Sequence, residues 1–273
     1  MTKTFAVIGD PIDHSLSPNI HNAAFNALGM DCTYIAYRVP RGELKEGIES
    51  LRQIKISGFN VTIPHKIEMM KYLDESSEEC KIIGAVNTVT NENDKLVGYN
   101  TDMDGFLEPI KKRDIAIKDE DVLLLGAGGA ARAIVAGFAK EKAHKITIAN
   151  RTKERGQELA KFAASLGVES NAMSLDEAGQ NAGKYKFIVN ATSVGLKNEP
   201  SPISTNAINS QSVVYDIIYM PMNTDFITQS KKNLATVIYG YEMLLGQACL
   251  AFEIWHKVKA PYDVMRKVLL GGF

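Results

Sequence analysis

The stretch VLLLGAGGAARAIVAGFAK, from Val122 to Lys140, limits what this chain can fold into more than any other. Val122 to Leu125 is a short apolar run of the kind that forms a fully buried strand. Gly126-Ala127-Gly128-Gly129-Ala130-Ala131 follows directly, and an alanine-rich, helix-favouring segment comes next. Strand, glycine turn and helix in that order make the context of a dinucleotide-binding fingerprint. Gly126 permits the tight turn, Gly128 lets a pyrophosphate approach the backbone, and Ala131 takes the position where helix packs closely on strand. The free N–H groups of the helix start favour an anion. A plain tight turn is the competing reading, and the strand and helix on either side weigh against it.

The strand after the fingerprint, KITIA, ends in Asn150-Arg151-Thr152, with Arg155 one helical turn on. An acidic residue at that place would bond a ribose 2′-hydroxyl and repel a 2′-phosphate. Here two guanidiniums, a hydroxyl and an amide stand beside a helix start, which makes a phosphate clamp and predicts NADP. A solvated helix start is the simpler alternative for these residue types.

The rest of the chain predicts two α/β domains. Strands at Phe5–Ile8, 34–39 and 59–63 alternate with helices from Pro18 to a stop at Gly29, over 42–54 and over 66–73. A hairpin of 86–90 and 95–99 turns around Asn91-Glu92-Asn93-Asp94. This alternation predicts a mostly parallel sheet. A helix over 104–118 leads to the fingerprint, and strands at 145–149, 187–191 and 213–217 complete a doubly wound nucleotide domain. An amphipathic helix over 152–166 turns Leu159, Phe162, Ala163 and Leu166 inward. Ser174-Leu175-Asp176-Glu177 is a capping box. The long helix 241–258 carries a stripe of Leu244, Ala248, Phe252 and Trp255, and is expected to return to the first domain. The expected boundaries are 1–103 plus 238–273 for one domain and 104–237 for the other, with a cleft between them.

At 273 residues and a formal net charge of −1, the chain has room for two modest cores and no electrostatic case for nucleic acid or an anionic membrane. Cys32, Cys80 and Cys249 are scattered without metal-ligand spacing, as are the five histidines. They fit a reducing, cytoplasmic compartment, and the apolar run near the start is too short for a signal peptide. No metal, nucleic-acid or membrane partner is expected.

Two charges stand where open α/β sheets bind ligands, just past strand ends. Lys66 follows NVTIPH and Asp102 follows the hairpin. Together at one substrate hydroxyl they could relay a proton while a cofactor exchanges hydride. Taken singly, each also fits a surface charge.

The motifs GDPIDHSLSPNIHNAAF, GFNVTIPHK, GAVNT, GYNTDMDGF, GAGGAARA, NRT, NATSVG, YDIIY and GYEMLLGQA occur in this order over essentially the whole chain. In that order and spacing the chain resembles the NADP-dependent shikimate dehydrogenases. The resemblance implies reduction of 3-dehydroshikimate to shikimate with NADPH, on the route to chorismate and aromatic amino acids, by a monomer or homodimer. It implies Lys66 and Asp102 as the pair at the reacting oxygen, with Lys66 the main acid/base. Ser15 and Ser17 would bond the substrate carboxylate, with Tyr215 closing that end, and Thr62, Asn87 and Gln247 would hold the ring hydroxyls. Gly126, Ala127, Gly128, Gly129 and Ala130 would bind pyrophosphate, and Asn150, Arg151, Thr152 and Arg155 the adenosine phosphate. Thr192, Ser193, Gly240 and Met243 would border the nicotinamide. Ser15 and Ser17 also suit a helix cap, Asn87 a turn, and Gln247 an interior polar group bonded to backbone. His14 and His65 flank these motifs as weaker candidates for chemistry. Thr224-Asp225-Phe226 departs from the family's Thr-Pro pattern, and Asp225 suits a helix start. A quinate/shikimate dehydrogenase that uses NAD and a non-catalytic NADP-binding regulatory protein are the rival readings. The paired arginines oppose NAD, Ser17 favours shikimate over quinate, and retention of Lys66 and Asp102 opposes the regulatory protein.

Overall fold

The computed structural model describes residues 2–271, which divide into two compact units: 2–105 with 245–271, and Phe106–Leu244. The first unit contains β1 (Lys3–Gly9), β2 (Cys32–Arg38), β3 (Gly58–Val61), β4 (Glu75–Ser76), β5 (Thr88–Glu92) and β6 (Lys95–Tyr99). They form one six-stranded sheet in the order β2-β1-β3-β5-β6-β4. The β1 pairings to β2 and β3 are parallel, while β5 runs antiparallel to both β3 and β6. The hairpin β5–β6 accounts for the second of these antiparallel pairings. Its turn residues Asn93 and Asp94 both have positive φ, 54° and 66°, the two-residue turn that matches strand twist.

Alternate residues of β1 serve opposite faces. Ala6 and Ile8 join a core with Leu44, Ile48 and Leu51 of α2 (Leu44–Gln53), behind α1 (Ser17–Ala27) in the chain. On the other face Phe5 meets Phe25 of α1, ring centroids 5.7 Å apart, and Trp255 at 5.0 Å. The expected helix at 66–73 is instead a short 3-10 helix, Glu68–Tyr72. The His65 N–H bonds the Thr62 carbonyl at 2.9 Å, so the chain after Pro64 winds tightly before any α turn starts. Two further elements follow, β4 and α3 (Glu78–Ile83), whose Ser77 cap accepts the Cys80 N–H.

The chain leaves the first unit within α4 (Asp102–Lys111) and returns within α9 (Gly240–His256). Helix α4 is shorter than the expected 104–118: the chain turns at Asp114, which has φ 51°. Between them lie β7 (Asp121–Leu125), α5 (Gly129–Lys140), β8 (Lys145–Ala149), α6 (Lys153–Ser165), β9 (Glu169–Met173), α7 (Leu175–Asn181), β10 (Phe187–Asn190), β11 (Val213–Asp216), α8 (Asp225–Lys232) and β12 (Thr236–Tyr239). The strands form a second sheet, order β12-β11-β10-β7-β8-β9, parallel throughout. The strands β7, β10 and β11 are buried along nearly their whole lengths, as parallel strands covered on both faces must be. Because Thr236–Tyr239 adds a strand here, the return to the first unit falls between Leu244 and Leu245. Helix α10 (Tyr262–Gly271) then packs on α1.

Two inward-facing assignments need correction. In α6 the buried residues are Gly156, Leu159, Ala160 and Ala163, whereas Phe162 is half-buried and its ring carries the Arg132 guanidinium 4.0 Å above it. In α9, Ala248 and Phe252 are buried with Leu245 and Ala251, while Leu244 and Trp255 are only partly covered. Ser174 and Glu177 form the capping box of α7. Thr224 caps α8, and Asp225 in its first turn accepts the Ser201 N–H at 2.9 Å, which binds a neighbouring loop to the helix start. No helix among the described residues is long and apolar enough to cross a membrane.

Candidate functional sites

In the first unit, strand β3 delivers the chain to the turn that carries Lys66. His65 anchors that turn: its ring is fully buried, and Nε2 donates to the Val39 carbonyl at 2.7 Å. The Lys66 backbone is tied from the other side, its carbonyl accepting the Val86 N–H at 2.9 Å. From this fixed base Lys66 Nζ donates to Asp102 Oδ2 at 2.5 Å, with side-chain exposures of 12% and 4%. The structure thus joins two charges that lie 36 residues apart in sequence. Removing either would leave the other buried without its counter-charge.

The second oxygen of Asp102 accepts Asn87 Nδ2 at 2.9 Å, and that amide also lies within 2.9 Å of Thr101 Oγ1 and 3.4 Å of Gln247 Oε1. Asn87 Oδ1 accepts the Thr101 N–H at 2.7 Å. Asn87 is therefore more than a turn residue: it links the proton-bearing pair to Gln247 on α9. Behind it, Asn60 Nδ2 donates to the Asn87 carbonyl and to Thr88 Oγ1, each at 3.0 Å, and Asn60 Oδ1 accepts the Tyr34 hydroxyl at 2.6 Å. Ser17, buried where α1 begins, bonds the same tyrosine oxygen. Ser15 is half-buried, and its Oγ accepts the Ser17 N–H at 3.3 Å. Leu16 is the N-cap of α1, and neither serine caps it. Thr62 is half-buried on the turn before Lys66, and His14 is exposed. Burial raises the Tyr34 hydroxyl well above its ordinary pKa, so it stays a neutral donor.

Tyr215 sits on β11 in the second unit, fully buried and stacked on Phe106 at 4.7 Å between centroids. Its hydroxyl is a buried polar atom with no hydrogen-bond partner among the described residues.

In the second unit, Gly126 leaves β7 with φ +102°, and a Cβ there would lie 2.9 Å from the Ala191 carbonyl oxygen. Only glycine fits. Gly128 is the N-cap of α5, and a Cβ at Gly128 would meet nothing within 4 Å. No side chain caps that helix start and no acidic residue occupies its first turn, so its N–H groups remain available to an anion. Ala127, Gly129 and Ala130 are half-buried and Gly128 exposed around this opening. At the end of β8, Asn150 Nδ2 braces the Thr152 carbonyl at 2.7 Å. Arg151, Thr152 and Arg155 are exposed, and neither arginine has an ion-pair partner among the described residues. The cradle and the two unpaired guanidiniums fit a dinucleotide with an extra phosphate.

Thr192 Oγ1 donates to Asn190 Oδ1 at 2.7 Å and accepts the Val194 N–H at 3.1 Å, which forms a compact turn after β10, with Ser193 exposed at its tip. Gly240 opens α9, where a Cβ would lie 2.4 Å from the Ile218 carbonyl oxygen, and Met243 is buried one turn on. The polar residues missing from the sequence reading are Asn60, inside β3, and Asn190 and Asp216, which end β10 and β11. A polar side chain closing a run such as FIVN or VVYD was the signal available. Among the described residues no cluster of His, Cys, Asp or Glu could hold a metal ion.

Three family models cover most of the chain. The shikimate dehydrogenase substrate binding domain matches residues 7–89, shikimate/quinate 5-dehydrogenase matches 109–215, and the shikimate 5′-dehydrogenase C-terminal domain matches 240–270. A shikimate dehydrogenase (NADP+) of Nitrosopumilus maritimus is 66% identical over 273 residues, all of both chains. The chain belongs to the shikimate dehydrogenase family. The Thermus thermophilus shikimate 5-dehydrogenase, solved with NADP(H) and shikimate, is 34% identical, with a TM-score of 0.87 and coverage of 99% of this chain and 100% of that one. A quinate dehydrogenase of Corynebacterium glutamicum with NAD reaches a TM-score of 0.90 at 26% identity, covering 99% of each chain. Within this family the overall fold does not separate one substrate or cofactor from another; side chains must.

Proposed function

We propose that this chain catalyses the NADPH-dependent, reversible reduction of 3-dehydroshikimate to shikimate, on the route to chorismate and aromatic amino acids in the cytoplasm. The observation that carries this reading is the buried Lys66–Asp102 pair at 2.5 Å, held by Asn87. In the direction of reduction, bound NADPH would supply the hydride for C3 of the substrate. Lys66 Nζ gives a proton to the developing alkoxide at that carbon, and Asp102 holds the ammonium in place and offsets its burial. The lysine regains its proton from water. Asn87, Thr62 and Gln247 bond the ring hydroxyls, and Ser15 and Ser17 the carboxylate, with Tyr215 assigned to close the carboxylate end. A site that bonds each hydroxyl rejects an analogue lacking one, because a buried partner is then left unpaired. The first unit is the substrate domain and the second the NADP domain. Gly126 to Ala130 take the pyrophosphate, Asn150, Arg151, Thr152 and Arg155 the 2′-phosphate, and Thr192, Ser193, Gly240 and Met243 border the nicotinamide.

The test is nicotinamide absorbance with purified protein, oxidising shikimate or quinate with NADP+ or NAD+ in all four pairings. Turnover mainly with shikimate and NADP+ is the expected result. Comparable rates with quinate or NAD+ would move the chain to the broader quinate/shikimate class, and NADP binding without turnover would make it a regulatory protein.

A further inference from the structure

The carboxylate of Asp216 lies at the carboxyl end of β11, with no exposed surface. It accepts three neutral donors: Asn190 Nδ2 at 3.0 Å, the Ile218 N–H at 3.1 Å and Thr224 Oγ1 at 2.6 Å. Each donor belongs to a different segment at the same end of the sheet. Asn190 ends β10, and its other amide atom, Oδ1, receives both the N–H and the hydroxyl of Thr192, at 3.1 and 2.7 Å. Asn190 Nδ2 also reaches the Val194 carbonyl at 3.2 Å, so the 192–194 turn hangs on one asparagine whose orientation Asp216 fixes. Ile218 and its neighbour Ile217 form the floor against which Gly240 packs without a side chain. Thr224 caps α8 with the same hydroxyl that it directs to Asp216. Its hydrogen-bond donors are all neutral, and burial pushes the carboxyl up to about 6. A carboxyl so placed costs folding free energy at neutral pH, a cost that natural chains tolerate mainly where function requires it.

We propose that Asp216 is a positioning residue for the nicotinamide end of the cofactor site. Through Asn190 it sets the 192–194 turn, and through Ile218 it sets the floor beneath Gly240. This inference rests on the assignment of Thr192, Ser193 and Gly240 to the nicotinamide, given above. Asp216 touches neither substrate nor cofactor.

The experiment compares wild type with Asp216→Ala, Asp216→Asn and Thr192→Val in shikimate oxidation, and measures affinity for adenosine 2′,5′-bisphosphate, a probe of the adenosine-phosphate clamp alone. Wild type comes first, because absence of turnover there would overturn the enzyme assignment and not this one. Asp216→Ala should raise KM for NADP+ by about tenfold or more, the effect of losing one or two buried hydrogen bonds, with affinity for the bisphosphate changed less than about twofold. Asp216→Asn should restore KM to within about threefold of wild type. The amide keeps an oxygen for Asn190 and Ile218 and can donate to Thr224. Thr192→Val removes the turn's own end of the chain of bonds and should raise KM for NADP+ in the same way. Equal loss of NADP+ and bisphosphate binding in Asp216→Ala would assign the residue to general folding and overturn the proposal. An unchanged KM in Asp216→Ala or in Thr192→Val would also overturn it, as would an asparagine variant no better than alanine.

Discussion

Each unit buries one aspartate almost completely, and the two are stabilised in opposite ways. Asp102 faces an ammonium at 2.5 Å, and its second oxygen takes an amide. Asp216 faces only neutral donors, and burial raises its carboxyl from 3.8 to about 6. A paired charge can be held ready for proton transfer at little net cost, because each partner stabilises the other. An unpaired one costs stability and serves geometry. The same contrast separates the proposed ligand sites. Side chains around Lys66 already satisfy one another within the folded unit, whereas Arg151 and Arg155 stand exposed without an acidic partner among the described residues. On the proposed reading, one site is built around a reacting atom and the other around a phosphate.

The strongest way to break the comparison is at the paired aspartate. Lys66→Ala should reduce kcat for shikimate oxidation by about a thousandfold, within the range of general acid–base catalysis, while the dissociation constant for NADP+ moves less than about twofold. A similar loss in both quantities would remove Lys66 from the chemistry.

The unpaired aspartate is probed through pH. Its folded-state pKa lies above the unfolded value, so the stability that protonation contributes is fully present below pH 3.8 and is lost as pH rises through about 6. That loss is about 3 kcal/mol. Asp216→Asn cannot ionise, so its stability relative to wild type should improve by about 3 kcal/mol between about pH 4 and about pH 7.5 in urea unfolding. Parallel pH curves for the two proteins would show that the carboxylate is compensated after all.

At the open clamp, replacing Arg151 and Arg155 together by Ala should raise KM for NADP+ by tenfold to about a hundredfold and leave NAD+ nearly unchanged. Equal effects on both cofactors would refute the 2′-phosphate assignment. The smallest effect is a control far from either aspartate. Ser174→Ala removes the α7 cap and should cost about 1 kcal/mol in thermal unfolding with kinetic constants unaltered.

How much could be read in advance follows the same physics. Buried parallel strands such as 122–125 and 187–190 announce themselves as short apolar runs, and the Gly126 turn tolerates no other residue, so the second unit was legible almost strand by strand. Three of the four edge strands, β4, β9 and β12, were not. Glu169–Met173 and Glu75–Ser76 are partly exposed, and neither has an apolar period to detect. In the first unit the candidate residues were visible one at a time, but their meeting was not. Lys66, Asn87, Asp102 and Gln247 come from four distant segments, and only the sheet order and α9 bring them within hydrogen-bond range. Asp216 was passed over because a lone acid after VVY resembles a strand end turning toward solvent, whereas the neighbouring segments close over it.

The return of α9 to the first unit also bears on how the protein is made. The packing around Phe5, Phe25 and Tyr34 needs Phe252 and Trp255, which the ribosome adds only after all of 106–244. At about 5–20 residues per second, the second unit has its whole sequence available for several seconds before the first can complete its core. The unit whose first segment precedes the other in the sequence is therefore the last to finish folding.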